Sequence, residues 1–336
     1  MINITTFVSI ETILMKSLKI TAIIVFSLFL SACNSSDENL WDTKISTPEE
    51  VVKIIDLSET YFDKNVTDEQ FKQQYPWFQG SVSDSLFSAR RTDANALQIY
   101  NDIKKSTQNI SLEKEIADVF RRIKMYFPQY ESPKVYTYSS DGQMYLDPII
   151  YNPEEKVLFI DLSCFLGENH AAYTDIENYL KKSMTPAHII PKMAEAVART
   201  MVPFHREEQK FVELMIYEGK VKVLQEAFCP TLPAHLRMYL TESQYQWTKE
   251  NEANIWNYFI EKDVLFSEDQ KLVERFISQA PFSKFYSEID KEASPQVGVF
   301  VGKSICDQYL HKNAKDLPHF LSKKTQEIFN DSKYRP

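Results

Sequence analysis

The sequence predicts a helix-dominated α+β fold with a small antiparallel sheet. Three observations carry this. Glycine is scarce, six residues, against 22 Phe, 18 Tyr and 4 Trp, a balance that favours helices over a turn-rich sandwich. Apolar residues recur at helical spacing up to Pro128 and again beyond Pro186. Between those prolines the period shortens toward that of strands.

The elements follow in order. Ser46-Thr47-Pro48-Glu49-Glu50 reads as a helix start, with a hydroxyl cap, a proline in the first turn and two acids. Thr67-Asp68-Glu69-Gln70 opens a short helix that ends around Tyr75-Pro76. Asp93 to Lys105 and Leu112 to Phe127 are amphipathic helices; in the second, Ile116, Val119, Phe120 and Ile123 share one face, and Pro128 stops it. Residues 134–138, 144–151 and 156–162 read as strands, the first followed by a turn at Ser140-Asp141-Gly142 and the last two joined through Asn152-Pro153-Glu154-Glu155. From Pro186 the pattern is helical: 191–201, 207–228, 242–261, 268–278, 295–311 and a last pair over 316–331. No internal repeat of 20–50 residues is visible, which excludes the common helical solenoids.

The N-terminus is read separately. Lys16 and Lys19 precede an apolar run, Ile20 to Leu30, and then Leu30-Ser31-Ala32-Cys33. Positive entry, apolar segment and small residues in that order predict a secretory signal. The run is shorter than the ~20 residues of a spanning helix. Residues 1–14 read as an upstream start, since Met15 begins the better-formed signal. The last four residues resemble a bacterial lipobox. That resemblance implies diacylglyceryl transfer to the Cys33 thiol, cleavage before Cys33, and a further fatty acyl chain (palmitate or similar) on its amine. Several acyl chains would hold the protein stably on a membrane. The expected organisation is therefore 1–32 signal, 33–45 acylated polar tether, and 46–336 a single α+β domain. Ser36-Asp37-Glu38-Asn39 in the tether is similar to the surface-export signal of some Bacteroidetes lipoproteins; a plain solvated linker is the alternative.

The net charge is −9, and loss of the signal makes it one unit more negative. With no basic stripe, nucleic acid is not an expected partner. Beyond Cys33 three cysteines remain, Cys164, Cys229 and Cys306. Their spacing matches no short zinc motif, and at most one disulfide can form; three small buried side chains is the favoured reading.

The search for chemistry is mostly negative. There is no G-x-S-x-G, Walker loop or G-x-G-x-x-G, and none of the six histidines forms H-x-x-x-H. No catalytic residue, resident metal or cofactor is assigned. Asp161, Glu168 and His170 follow the last strand in a loop position where sites often lie, with a capping role as the plainer reading.

Several segments together resemble the gliding-motility lipoprotein GldB family. They are Asp161 to Gly167 with His170 and Tyr173, then Met215-Ile216-Tyr217-Glu218-Gly219-Lys220, then Asn251 to Ile260, then Pro295 to Ile305, and the terminus Ser332 to Pro336. They keep the family's order over nearly the whole mature chain. Cys164 stands where Tyr is usual, and Phe300 where Trp is usual. The resemblance implies a Bacteroidetes cell-envelope lipoprotein, lipid-anchored and expected at the outer membrane, its face left open. Its partners would be envelope proteins, including gliding or secretion machinery.

A fainter resemblance, to gluzincin-type zinc peptidases, comes from the layout of a small sheet, a helix, and a helix carrying Glu-Gly. The matching helix reads Ala194-Glu195-Ala196-Val197-Ala198. It keeps the glutamate of H-E-x-x-H as Glu195 and has alanine in both histidine places, while Glu218 falls where a third ligand would lie. Asp161, His170, Glu195 and Glu218 are thus the candidate pocket residues. Without imidazoles the two glutamates are expected to lie apart or in solvent. A non-catalytic envelope protein is favoured. The alternative is a peptidase-like hydrolase with an unrecognised metal or a degenerate active site, and a histidine such as His170 or His205 beside the glutamates would support it.

Overall fold

The computed structural model describes residues 40, 41, 43–313 and 316–336; Cys33, the signal and most of the tether lie outside the described residues. The chain divides into two units, Met1–Asp42 and Thr43–Pro336. Of the first, Leu40 and Trp41 are described, as part of a turn.

The second unit is the helix-dominated α+β fold that the periodicities predict. Its sheet has four strands, β1 (Ile54–Asp56), β2 (Lys134–Tyr138), β3 (Ile149–Asn152) and β4 (Val157–Asp161), in the order β1-β2-β4-β3. The expectation of an antiparallel sheet is corrected for most of it. Only β3 and β4, joined by a tight connection, run antiparallel; β1 with β2 and β2 with β4 are parallel. The β3–β4 hairpin sets β3 at the sheet edge and brings β4 beside β2 in the same direction, and an unforeseen strand, β1, adds a second parallel pair. β1 begins just after residues 46–50, where a helix start was read and where the chain is irregular. Three residues are too few to show a period.

Five helices separate β1 from β2: α1 (Leu57–Phe62), α2 (Asp68–Gln74), α3 (Asp84–Thr92), α4 (Ala94–Thr107) and α5 (Leu112–Tyr126). Thr67 caps α2 through a capping box with Gln70. Leu57, Tyr61, Phe71, Tyr75 and Phe87 form an aromatic core to which Tyr136, Tyr138 and Phe159 of the sheet add one face. Alternate residues Val135, Leu158 and Ile160 are buried on the other.

The C-terminal half is helical. It comprises α6 (Ile189–Met201), α7 (Phe211–Phe228), α8 (Glu242–Glu250), α9 (Glu252–Glu261), α10 (Lys271–Phe276), α11 (Val297–Lys312), α12 (Leu317–Ser322) and α13 (Thr325–Ser332). The single helix expected over 242–261 breaks at Asn251, which caps both α8 and α9. α7 is buried nearly all round and is the axis of this half. It crosses α11 where Gly219 meets Gly302. A Cβ on Gly302 would run into the Met215 carbonyl, and one on Gly219 into the Gly302 carbonyl, so the two backbones touch. Among the described residues, no helix is long and apolar enough to cross a membrane.

Candidate functional site

An open cleft lined with charged residues lies between the edge strand β3 and helix α6. A cleft of about 590 Å³ is walled there by Pro148–Tyr151 on one side and Lys192, Glu195 and Arg199 on the other, with Tyr239 among its lining. The spacing of α6 builds this wall. Ile189, Ile190, Met193, Ala194, Val197 and Ala198 are buried as one stripe, which leaves Lys192, Glu195 and Arg199 on the other face at helical intervals.

Glu195 and Glu218 do not lie apart or in solvent, as expected from sequence; Arg199 joins them. Its guanidinium meets Glu218 in a two-pronged pair, Nη1 to Oε1 and Nη2 to Oε2, both 2.9 Å, and also donates from Nη2 to Glu195 Oε1 at 2.7 Å. This planar fork is the geometry that best holds a carboxylate. Lys222, one turn beyond Glu218 on α7, donates to the second Glu195 oxygen at 2.6 Å and to the Arg237 carbonyl at 2.8 Å. Two acids and two bases close on each other. Burial alone would raise the Glu195 carboxyl; the charges of Lys222 and Arg199 outweigh it and hold the group at about 2.

Tyr239 completes the arrangement. Its backbone is left-handed, φ 56°, a conformation that bulky residues rarely adopt. The turn puts its ring 4.2 Å from the Lys222 ammonium and 5.5 Å from that of Lys192. The phenol lies 3.1 Å from Gln225 Nε2 and 3.3 Å from the Pro191 carbonyl. Burial raises its proton affinity, and the Glu195 charge adds to that.

Lys192 differs from its neighbours. Its ammonium faces the rings of Tyr239 and Phe165, the latter at 5.9 Å. No hydrogen-bond or ion-pair partner reaches it among the described residues. Burial lowers its pKa to about 8, against the opposing pull of Glu195.

The other two sequence candidates lie elsewhere. Asp161 is fully buried at the end of β4. It accepts from the Ser163 backbone N–H (3.0 Å) and hydroxyl (2.5 Å), from the Ser140 backbone N–H (3.2 Å) and from the Ser140 hydroxyl. Burial raises its pKa against the pull of those donors. It fastens the turn after β2 to the end of β4. His170 caps a short turn through Nδ1, accepting from Ala172 N–H at 3.2 Å, and its Nε2 lies 3.4 Å from Asp102. His205 lies beside Glu207 at 3.8 Å. Neither histidine joins the glutamates. Cys164, Cys229 and Cys306 are buried free thiols.

The zinc-peptidase likeness can be tested on the donors. Ala194 and Ala198 are fully buried and carry no ligand atoms, and Arg199 takes both carboxylates. Among the described residues no group of three His, Cys, Asp or Glu side chains could hold a metal ion. This set does not fit zinc.

Lys192, Arg199, Lys222 and Tyr239 escaped the sequence reading. The pairs Glu195/Arg199 and Glu218/Lys222 do carry a signal, each an acid four residues before a base on a helix. Nothing in the sequence places Tyr239 between two lysines.

The fold and cleft thus define a helix-dominated α+β protein with an open, charge-lined groove at the edge of a mixed sheet. The family model for the gliding motility protein GldB matches residues 38–336. The chain belongs to the GldB family, and is a gliding-motility-associated lipoprotein of the cell envelope. No curated protein and no solved structure shows significant similarity to it.

Proposed function

We propose that this protein is a non-catalytic lipoprotein, anchored in the outer membrane of a Bacteroidetes cell through acylated Cys33, and that it acts by binding another envelope protein in the cleft between β3 and α6. One observation carries this reading. The two glutamates that could have served as base and metal ligand are engaged by Arg199 and Lys222, whereas Lys192 beside them has a donor to spare. A carboxylate held at about 2 by two cations is a poor general base near neutral pH. The lipobox Leu30-Ser31-Ala32-Cys33 supports the anchor. Gliding or secretion machinery is the partner class the family implies.

Two measurements test the reading. The full-length protein, purified in detergent, is assayed against a mixed peptide pool with and without added zinc. No turnover is expected, and hydrolysis that disappears in Glu195→Gln would overturn the non-catalytic assignment. Cys33→Ser is expected to shift the protein from the detergent to the aqueous phase, or to leave it unprocessed. Unchanged processing and partitioning would refute the anchor.

A further inference from the structure

β3 is an edge strand, and its free side opens on the cleft. Its register fixes which backbone groups are free. The Asp161 N–H donates to the Pro148 carbonyl at 2.8 Å, and antiparallel pairs alternate between hydrogen-bonded and non-bonded positions. Residues 148, 150 and 152 therefore pair with β4, while the N–H and C=O of Ile149 and Tyr151 point away from the sheet. No backbone partner meets them among the described residues. An open row of this kind is a template for another strand. Leu146, 65% exposed, adds an apolar side chain to the mouth of the cleft.

The charge of the cleft decides what the added strand should carry. Arg199 and Lys222 are neutralised by Glu195 and Glu218. Asp147 is exposed and within hydrogen-bonding distance of no cation among the described residues. Lys192 has no hydrogen-bonded acid among the described residues; Glu195 and Asp147 act on its half-buried ammonium only through space, and it faces two aromatic rings. A half-buried cation of this kind favours an anionic oxygen over water.

We infer that the cleft takes an extended segment of a partner protein, which pairs with the open edge of β3 at Ile149 and Tyr151 and sets an aspartate or glutamate side chain on the Lys192 ammonium. This rests on the binding reading above and names the chemistry of the partner. The backbone pairing supplies sequence-independent affinity, and Leu146 at the mouth takes side chains flanking the acid.

The test uses the full-length protein in detergent and an array of random ten-residue peptides, N-acetylated and C-amidated so that side chains are the only source of carboxylate. Bound peptides are expected to converge on one Asp or Glu among β-branched residues. Changing that acid to its amide should weaken binding at least tenfold. Lys192→Met should lose the same factor without adding to the first loss, Lys192→Arg should keep most of the affinity, and the amides of Ile149 and Tyr151 should gain exchange protection. Unchanged melting of Lys192→Met shows that the variant is folded. Peptides without a shared acid, binding indifferent to Lys192→Met, unprotected Ile149 and Tyr151 amides, or selection only from a free-carboxylate library would each overturn the inference. Cleavage of a bound peptide would instead sink the non-catalytic reading and leave this one standing. An envelope partner retained in full by Lys192→Met would do the reverse.

Discussion

Helix α7 carries two ionic clusters less than three turns apart, and they are built to opposite ends. Near its middle, Glu218 and Lys222 meet Glu195 and Arg199 at the floor of an open cleft, with Lys192 to spare beside them. Near its C-terminus, Glu226 receives Arg237 and Lys303, the latter at 2.6 Å, and Lys303 also binds Asp307 at 2.6 Å. This second group ties α7 to α11, and each of its cations meets an acid. Burial raises the Asp307 carboxyl, while the acids around Lys303 hold its ammonium charged against its own burial. A cluster whose charges are all paired fixes how helices sit. An open one that leaves a cation unmatched is organised around something still to arrive.

Several variants would break or sharpen that contrast. The largest loss is expected from Lys303→Met, which leaves Asp307 without its cation and Glu226 with Arg237 alone; breaking a buried pair costs about 3–5 kcal/mol, and the 27% exposure of Asp307 puts the loss at the lower end, measurable by chemical denaturation. Gly302→Ala should follow. Its methyl would have to push α7 and α11 apart, at roughly 1–3 kcal/mol, and both clusters should loosen, since α7 carries them both.

Glu195→Gln should be milder, on the order of 2 kcal/mol, because Arg199 is 41% exposed and partly screened. Its effect should depend on pH. The folded carboxyl sits at about 2 against an ordinary 4.5, so its contribution is present above pH 4.5 and is lost as pH falls toward 2. The stability gap between wild type and variant should narrow across that window, and a gap that widened there would refute the Lys222–Glu195–Arg199 assignment. Smallest of all, Lys192→Met should change stability by no more than about 0.5 kcal/mol or raise it slightly, because no ion pair is lost and a desolvated charge is removed. If Lys192→Met unfolded the protein as Lys303→Met should, the two clusters would be alike and the contrast would fail.

The helices were legible because long stretches repeat one spacing. Ile116, Val119, Phe120 and Ile123 mark α5, and the stripe from Ile189 to Ala198 marks α6. β2 and β4 were legible for the same reason, with alternation at Val135, Thr137, Leu158 and Ile160; the strand read over 144–151 forms only at Ile149–Asn152, residues 144–147 being turn and bend. β1 was not legible, because Ile54-Ile55-Asp56 is defined by pairing with a strand some 80 residues away; nor was the parallel β2–β4 pair, which depends on which strand of the β3–β4 hairpin sits beside β2. Of the site, the sequence offered the two glutamates and lost their partners. Arg199 is a surface residue by pattern, and its role exists only because α6 and α7 cross with Glu195 and Glu218 facing. Asp161 and His170 looked like a cluster because they are close along the chain; they belong to separate turns.

The meeting of Gly219 with Gly302 acts as a detent. A shift of α7 along α11 by one residue would drive a side chain into a main chain on either side, so the helix has one seat and no neighbouring one. The floor of the cleft is pinned from behind before any ligand approaches. An incoming strand would then pay for its own ordering and little for the protein's, so that selectivity among ligands should depend on how readily each becomes extended.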